Sequence, residues 1–352
     1  MRQPAHGGNL AWAAALAGCP PDAILDFSAS ISPLGPPNSA IAAILSQLGN
    51  LKHYPDPNYS ELRLALSHFH QLPPEWILPG NGSAELLTLI GRELAQLAAT
   101  ILITPAFGDY YRTLVAYNAK VLECPLSLLT GHWSLVKDKG QRTKDKGLLL
   151  NNPHNPTGKL FSRDSILPYL EQFALVVVDE AFMDFVPPNE EQSLIPVVQE
   201  YRNLVVLRSL TKFYSLPGLR LGYAIAHPDC LAKWQLWRDP WPVNTLAAAA
   251  AIAALQDTEF QQQTWAWLPP ARNQLFQGLA EIPGLQPQVS AANFLLVESQ
   301  ESTLHLQQQL LKHHQILIRD CLSFKELGDR FFRVAVREEA DNQRLLTALK
   351  ES

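Results

Sequence analysis

The sequence contains no pair of cysteines close enough to suggest a metal ribbon or a redox motif. Cys19, Cys124, Cys230 and Cys321 lie about a hundred residues apart, with no C-x-x-C unit and no histidines at zinc-ligand spacing. They are expected to be free thiols in a reducing cytoplasm, and no metal is implied. Charge is scarce as well. Charged residues make up 17% of the chain, the formal net charge is -5 and the pI is about 6.1, which leaves no broad basic field for nucleic acid. Small-molecule partners are expected instead. Long apolar runs are also missing: L-A-A-A-A-A-I-A-A-L, 246–255, is far too short to span a bilayer and suits a close-packed helix between domains. The stretch A-W-A-A-A-L-A-G-C, 11–19, is preceded by Arg2 as its one positive charge and by the interrupting His6-Gly7-Gly8-Asn9, so it reads as an amphipathic helix on the body rather than a signal segment. No membrane partner is expected.

Present instead is an alternation of short apolar runs with helix-like stretches from about residue 100 onward: I-L-I-T-P (101–105), K-V-L-E-C-P-L (120–126), L-L-L-N-N-P (148–153), L-V-V-V-D-E (175–180), L-V-V-L-R-S (204–209) and L-G-Y-A-I-A (221–226). This is the α/β signature, with mostly parallel strands buried on both faces. A doubled K-D-K-G within 137–147 reads as a solvated loop. The last hundred residues change character. A helical Gln/Trp-rich stretch is followed by V-S-A-A-N-F-L-L-V-E (289–298), I-L-I-R-D (316–320) and F-F-R-V-A-V-R (331–337), which predicts a smaller α+β domain with a separate sheet. At 352 residues the chain is long enough for two unequal domains.

In an open parallel sheet, ligands collect beyond the carboxyl ends of the strands, so polar residues that follow apolar runs are the ones to inspect. Four stand there: Asn155 in N-N-P-H-N-P-T-G, Asp179 in V-V-V-D-E-A-F, Ser209, and Lys212 in S-L-T-K. Alone, each could cap a helix or reach solvent. Together they form a set with chemistry. A desolvated amine has a lowered pKa and can condense with an aldehyde, and a deep carboxylate can keep a pyridinium nitrogen protonated. Those two groups are what pyridoxal phosphate requires of a protein. G-N-G-S-A-E-L-L (80–87) offers a phosphate site, with Gly82 supplying flexibility, Ser83 as the expected helix cap and outward NH groups. Ser209 and Arg220 would complete it, and Phe107 in T-P-A-F-G-D-Y is placed to stack on a ring. The same G-N-G lacks the third glycine of a dinucleotide fingerprint and the Gly-Lys-Ser/Thr of a P-loop. A catalytically silent binding protein is argued against by the intact Lys212, Asp179 and Asn155.

Asn155-Pro156-Thr157-Gly158, Asp179-Glu180-Ala181-Phe182, Ser209-Leu210-Thr211-Lys212 and Arg220-Leu221-Gly222-Tyr223, in that order, resemble the fold-type-I pyridoxal phosphate enzymes of the aspartate aminotransferase superfamily, close to histidinol-phosphate aminotransferase. The likeness implies a large domain with a mostly parallel mixed sheet at 49–245, a C-terminal small domain at 246–352, and an N-terminal arm with part of the small domain at 1–48. It implies that Lys212 binds the cofactor aldehyde, that Asp179 pairs with the pyridine nitrogen, that Asn155 bonds the ring oxygen, and that Tyr54 reaches the cofactor phosphate across a homodimer interface. H-G-G-N (6–9), D-F-S-A-S-I-S-P-L-G (26–35), Y-P-D (54–56), D-E-A-F-M-D-F (179–185), P-W-P-V-N (240–244) and I-L-I-R-D-C (316–321) are similar, more narrowly, to the L-threonine-O-3-phosphate decarboxylases of cobalamin biosynthesis.

By that narrower likeness the substrate carries a carboxylate and a phosphate, and the product is (R)-1-amino-2-propanol phosphate. His6, Gly7, Ser30, Asn155, Arg319 and Arg333 are then the expected substrate contacts, planar arginine forks suiting both anions. Whichever bond at Cα stands perpendicular to the pyridine ring is the one that breaks, so an out-of-plane carboxylate favours decarboxylation and an in-plane one transamination. Phe182 stands where the aminotransferases carry a tyrosine, and H-G-G-N is a decarboxylase-type arm. Both favour decarboxylation. Ser30 occupies a position where the decarboxylase pattern tends to have Asn. Histidinol-phosphate aminotransferase is the second reading.

Overall fold

A computed structural model describes residues 6–127 and 143–352. After a two-residue strand β1 (Leu25–Asp26) come the seven strands of one large sheet: β2 (Ile77–Asn81), β3 (Ala99–Thr104), β4 (Val121–Pro125), β5 (Lys146–Asn151), β6 (Leu175–Asp179), β7 (Leu204–Ser209) and β8 (Leu221–Ala226). Their spatial order is β2-β8-β7-β6-β5-β3-β4, and only β8 runs against the rest. All six apolar runs picked out from residue 100 onward are strands of this sheet. The α/β class with a mostly parallel sheet is therefore the observed one.

Strand alternation decides what each face of the sheet receives. Leu149, Val177, Val205 and Leu207 pack with the helix Gly82–Leu94 on one face, whereas Leu148, Leu150, Val176, Val178 and Val206 join the larger core on the other. Continuing that count places Asn151, Asp179 and Ser209 on the first face, at the strand ends. Arg208 and Glu180 fall on the second.

The C-terminal region forms a separate four-stranded antiparallel sheet, β12-β13-β10-β9, from β9 (Leu285–Pro287), β10 (Phe294–Ser299), β12 (Arg319–Asp320) and β13 (Phe331–Ala335). The short β11 (Ile316–Leu317) pairs in parallel with β1, which binds the N-terminal segment to this part of the chain. The segment 27–32 runs on from there. Phe27 N donates to Leu317 O and Phe27 O accepts from Ala335 N, and Ser32 N donates to the carbonyl of Lys212 at 3.0 Å. The 11–19 stretch is helical over Leu10–Ala17, closed by Gly18, and it buries Ala13 and Ala14 beside Ile24, Leu311 and Leu317. The alanine run lies in the helix Thr245–Gln256, packed on the helices Asn38–Gln47 and Ser60–His70.

Three local expectations are corrected. The glycine segment at 80–82 is not a flexible lead-in, because Gly80 and Asn81 belong to β2, paired with Gly222 and Leu221. Ser83 does not cap the helix that follows. Asn81 holds the cap position without a side-chain hydrogen bond, and Ser83 is already the second helical residue. The doubled K-D-K-G is not loop throughout: Lys146 and Gly147 open β5, paired with Ala99 and with Thr100 and Leu175, because the strand ladder extends past the apolar run. Residues 137–142 of that stretch lie outside the described residues.

Candidate active site

The strand ends converge on a cavity of about 220 Å³ that is lined by most of the residues singled out from sequence. Lys212, Asp179, Asn155, Ser209, Ser83, Arg220 and Phe107 all border it, and so do His6, Gly7, Ser30, Arg319 and Arg333. Gly82 lies just behind Arg220, and Tyr54 lies elsewhere.

Asp179 is the last residue of β6 and is buried. Its Oδ2 accepts from the Tyr110 hydroxyl at 2.9 Å and its Oδ1 from the backbone N of Ala181 at 3.0 Å. Burial raises its pKa, while these two hydrogen bonds and the nearby Lys212 charge oppose that. Lys212 follows β7 by three residues. Burial, reinforced by the charges of Arg333 and Arg220, lowers its pKa to about 8. A free amine at near-neutral pH is a competent nucleophile toward an aldehyde.

One anion corner is built where β2 and β7 end and the antiparallel β8 begins. Gly82 has φ +72°, and a Cβ there would lie 2.5 Å from Arg220 Nη2, so only glycine lets the guanidinium close over the helix start. Arg220 itself is held in the left-handed region at φ +59° and is exposed on the outer side. Ser209 Oγ and Thr211 Oγ1 are 2.8 Å apart beside it. The donors, the helix N-terminus and a cation fit a phosphate group.

A second cationic corner comes from the C-terminal sheet. Arg319 on β12 donates to Ser323 Oγ at 2.6 Å, and Arg333 on β13 donates to Asn155 Oδ1 and sits 4.8 Å over the Phe294 ring. Burial and then Arg319 lower the Arg333 pKa to about 10. Ser30 borders this space with a buried hydroxyl that has no hydrogen-bond partner among the described residues. The N-terminal arm covers it: the His6 ring rests 5.5 Å from Phe107, and Gly8 N donates to Ser28 Oγ at 2.8 Å. Phe182 packs edge-on against Phe294 at 5.0 Å and offers the cavity no hydroxyl.

Four cationic side chains, Lys212, Arg220, Arg319 and Arg333, thus face two carboxylates, Asp109 and Asp179, and one of these, Asp109, is already paired with Arg112. The arrangement suits a ligand, or two ligands, with more than one anionic group. Residues 22–349 match the family described as aminotransferase class I and II. The chain belongs to that family. Within it, the chain is 40% identical to threonine-phosphate decarboxylase of Salmonella typhimurium, over 98% of this chain and 96% of that protein. It is 33% identical to histidinol-phosphate aminotransferase 1 of Mannheimia succiniciproducens, over 93% of this chain and 89% of that one. Its fold matches the crystal structure of histidinol-phosphate aminotransferase from Clostridium acetobutylicum with a TM-score of 0.86 at 29% identity, covering 93% of this chain and 98% of that one.

Several residues that line the cavity of this aminotransferase-family chain stand outside the set expected from sequence. Tyr110, Ser28, Thr211 and Ser323 are among them. Tyr110 had a signal available, since it lies three residues after Phe107, the cap of the helix whose first turn holds Tyr110. Ser323 had none: it lies four residues after Arg319, in the turn that follows β12, and no motif marks it. Tyr54 is 79% exposed and stacks on Trp241 at 4.5 Å, away from the cavity of its own chain.

Proposed function

We propose that the protein is a pyridoxal-phosphate-dependent carboxy-lyase that converts L-threonine O-3-phosphate to (R)-1-amino-2-propanol O-2-phosphate and carbon dioxide, a step of cobalamin biosynthesis. The observation that carries the reading is the second cationic corner: Arg319 and Arg333 stand in the same cavity as Lys212 and Asp179. A substrate with two anions needs such a corner in addition to the one at Gly82, Ser83, Ser209 and Arg220, which would hold the cofactor phosphate. When bound, the cofactor supplies an electron sink for the bond broken at Cα. Lys212 holds the aldehyde carbon and then carries the proton that replaces carbon dioxide at Cα. Asp179 holds the ring nitrogen, Asn155 the ring oxygen, and Phe107 covers the ring face. Arg319, Arg333, Ser30, His6 and Gly7 grip the substrate anions, and the arm keeps water out.

Histidinol-phosphate aminotransferase is the second reading, favoured by the match to that enzyme over most of the chain. Phe182 speaks for the first, since it cannot donate to the ring oxygen as a tyrosine would. Incubating the cofactor-loaded protein with L-threonine phosphate should release carbon dioxide, and a Lys212→Ala protein should not. Glutamate formation from histidinol phosphate and 2-oxoglutarate, with no carbon dioxide, would establish the aminotransferase instead.

The active unit is a homodimer in this reading. The exposed Tyr54 and Trp241, with the exposed Ile41, Leu45, Leu48 and Leu51, supply an apolar surface for a second copy. Sedimentation at equilibrium tests it, a monomer mass at working concentration being the adverse result.

A further inference from the structure

Tyr110 closes the stretch T-P-A-F-G-D-Y, and it is the sole side chain that donates to the Asp179 carboxylate among the described hydrogen bonds. It sits on the first turn of the helix Gly108–Ala116 and is 2% exposed. Its hydroxyl reaches Asp179 Oδ2 at 2.9 Å, and its ring meets Phe107 edge-on at 5.7 Å. One residue therefore touches both the carboxylate and the aromatic ring that the reading above assigns to the cofactor.

We propose that Tyr110 is a positioning residue for the cofactor's ring nitrogen, acting through Asp179: its hydroxyl fixes the carboxylate's orientation and keeps it ionised toward the heterocycle. This rests on the pyridoxal phosphate reading. The physical need is plain. A carboxylate buried at a strand end would rather take up a proton, and among the described residues each oxygen here has a single donor to offset that. Tyr110 satisfies Oδ2 and Ala181 satisfies Oδ1, which fixes the plane of the carboxyl group and leaves the remaining lone pairs for a cationic NH. A phenol suits the task because burial and the Asp179 charge raise its own pKa well above the ordinary value, so it donates throughout the working range and does not compete as an anion.

Tyr110→Phe keeps the ring against Phe107 and removes only the donor. The test compares uptake of two ligands by the apo chain: pyridoxal phosphate, and its analogue with carbon in place of the ring nitrogen. The variant is expected to lose about tenfold in affinity for the first, the scale of one hydrogen bond to a charged group, and nothing for the second. The pH midpoint of the bound cofactor's visible band should shift with it. Equal loss for both ligands, or no loss for either, overturns the proposal, since packing alone does not distinguish nitrogen from carbon. Tyr110→His, which retains a ring donor, is a second variant and should recover part of the preference; a His variant with no more preference than Phe also counts against it. Apo melting temperatures for each variant show whether the chain has folded. A wild-type chain that takes up neither ligand would overturn the parent reading, and this one with it, a result separate from a wild type that binds both and a variant that matches it.

Discussion

Arg333 on β13 donates to Asn155 Oδ1 in the loop after β5, so the C-terminal sheet and the large sheet meet through one hydrogen bond inside the cavity. The same guanidinium reaches Ser28 O at 3.3 Å and lies over Phe294. Three parts of the chain far apart in sequence thus hold one planar fork in place before any ligand arrives.

Replacing that fork with an ammonium keeps the charge and loses the geometry. Arg333→Lys should lower kcat/KM for the phosphorylated substrate on the order of a hundredfold, because a point charge cannot serve Asn155, Ser28 and a carboxylate at once. Cofactor uptake by the same variant should be close to wild type. Steady-state kinetics beside a cofactor titration separates the two, and equal loss in both would mean that Arg333 acts on the fold instead.

Lys212 sets the pH dependence of cofactor capture. Its nucleophilic form is the free amine, and burial followed by the Arg333 and Arg220 charges lowers its pKa to about 8. The rate at which apo-protein takes up the aldehyde should therefore rise with pH through a midpoint near that value, whereas an unperturbed lysine would keep rising toward about 10.4. Arg333→Met removes a neighbouring positive charge, which favours the protonated amine and moves the midpoint upward. Stopped-flow absorbance across the range gives both midpoints. An unmoved midpoint would leave burial and Arg220 as the causes of the shift.

How much of this was legible beforehand follows from where each signal lives. The strands of the large sheet from residue 100 onward announced themselves because a strand buried on both faces is a continuous apolar run, and the polar residue ending each run marks the ligand end. Asp179, Ser209 and Lys212 were found that way. β2 carries no such signal because Ile77-Leu78 is the whole of its apolar content before Pro79 and Gly80, and the glycines around Asn81 look like a loop until β8 pairs with the strand. Ser30, Arg319 and Arg333 had no local pattern to identify them. They came from resemblance, since contacts between segments three hundred residues apart leave no period in a sequence. The Ser30 hydroxyl, without a partner among the described residues, and the Tyr110–Asp179 contact exist only in three dimensions, while the Arg319–Ser323 bond is local but follows no pattern.

The N-terminal arm docks through a contact that tolerates no side chain. A Cβ on Gly7 would lie 2.3 Å from the carbonyl oxygen of Ser28, whose backbone is pinned between β1 and the Lys212 loop and cannot retreat. Gly7→Ala should unseat the arm, raising KM several-fold, about the worth of one or two hydrogen bonds, while kcat changes less. Faster hydrogen exchange at the Gly8 amide, which now donates to Ser28 Oγ, would report the release directly. Unchanged exchange together with unchanged KM would show that the arm contributes no binding.

Behind the site, Arg208 is 2% exposed and carries three carboxylates: Glu180 Oε2 at 3.1 Å, Asp184, and Glu191. Glu180 in turn accepts from Ser193 Oγ at 2.6 Å and from Leu194 N at 2.8 Å. Glu180→Ala strips one partner from a buried guanidinium and leaves two buried donors unpaired, a loss of about 3–5 kcal/mol. Urea unfolding should register it. Because Glu180 and Arg208 face away from the cavity while their neighbours Asp179 and Ser209 face into it, the variant that does fold should keep the wild-type pH midpoint for cofactor capture. A stability loss with that midpoint intact would establish that adjacent residues of D-E and R-S serve opposite faces of the sheet, one face for chemistry and the other for the fold. A moved midpoint would show that the buried ion cluster reaches Lys212 through the sheet.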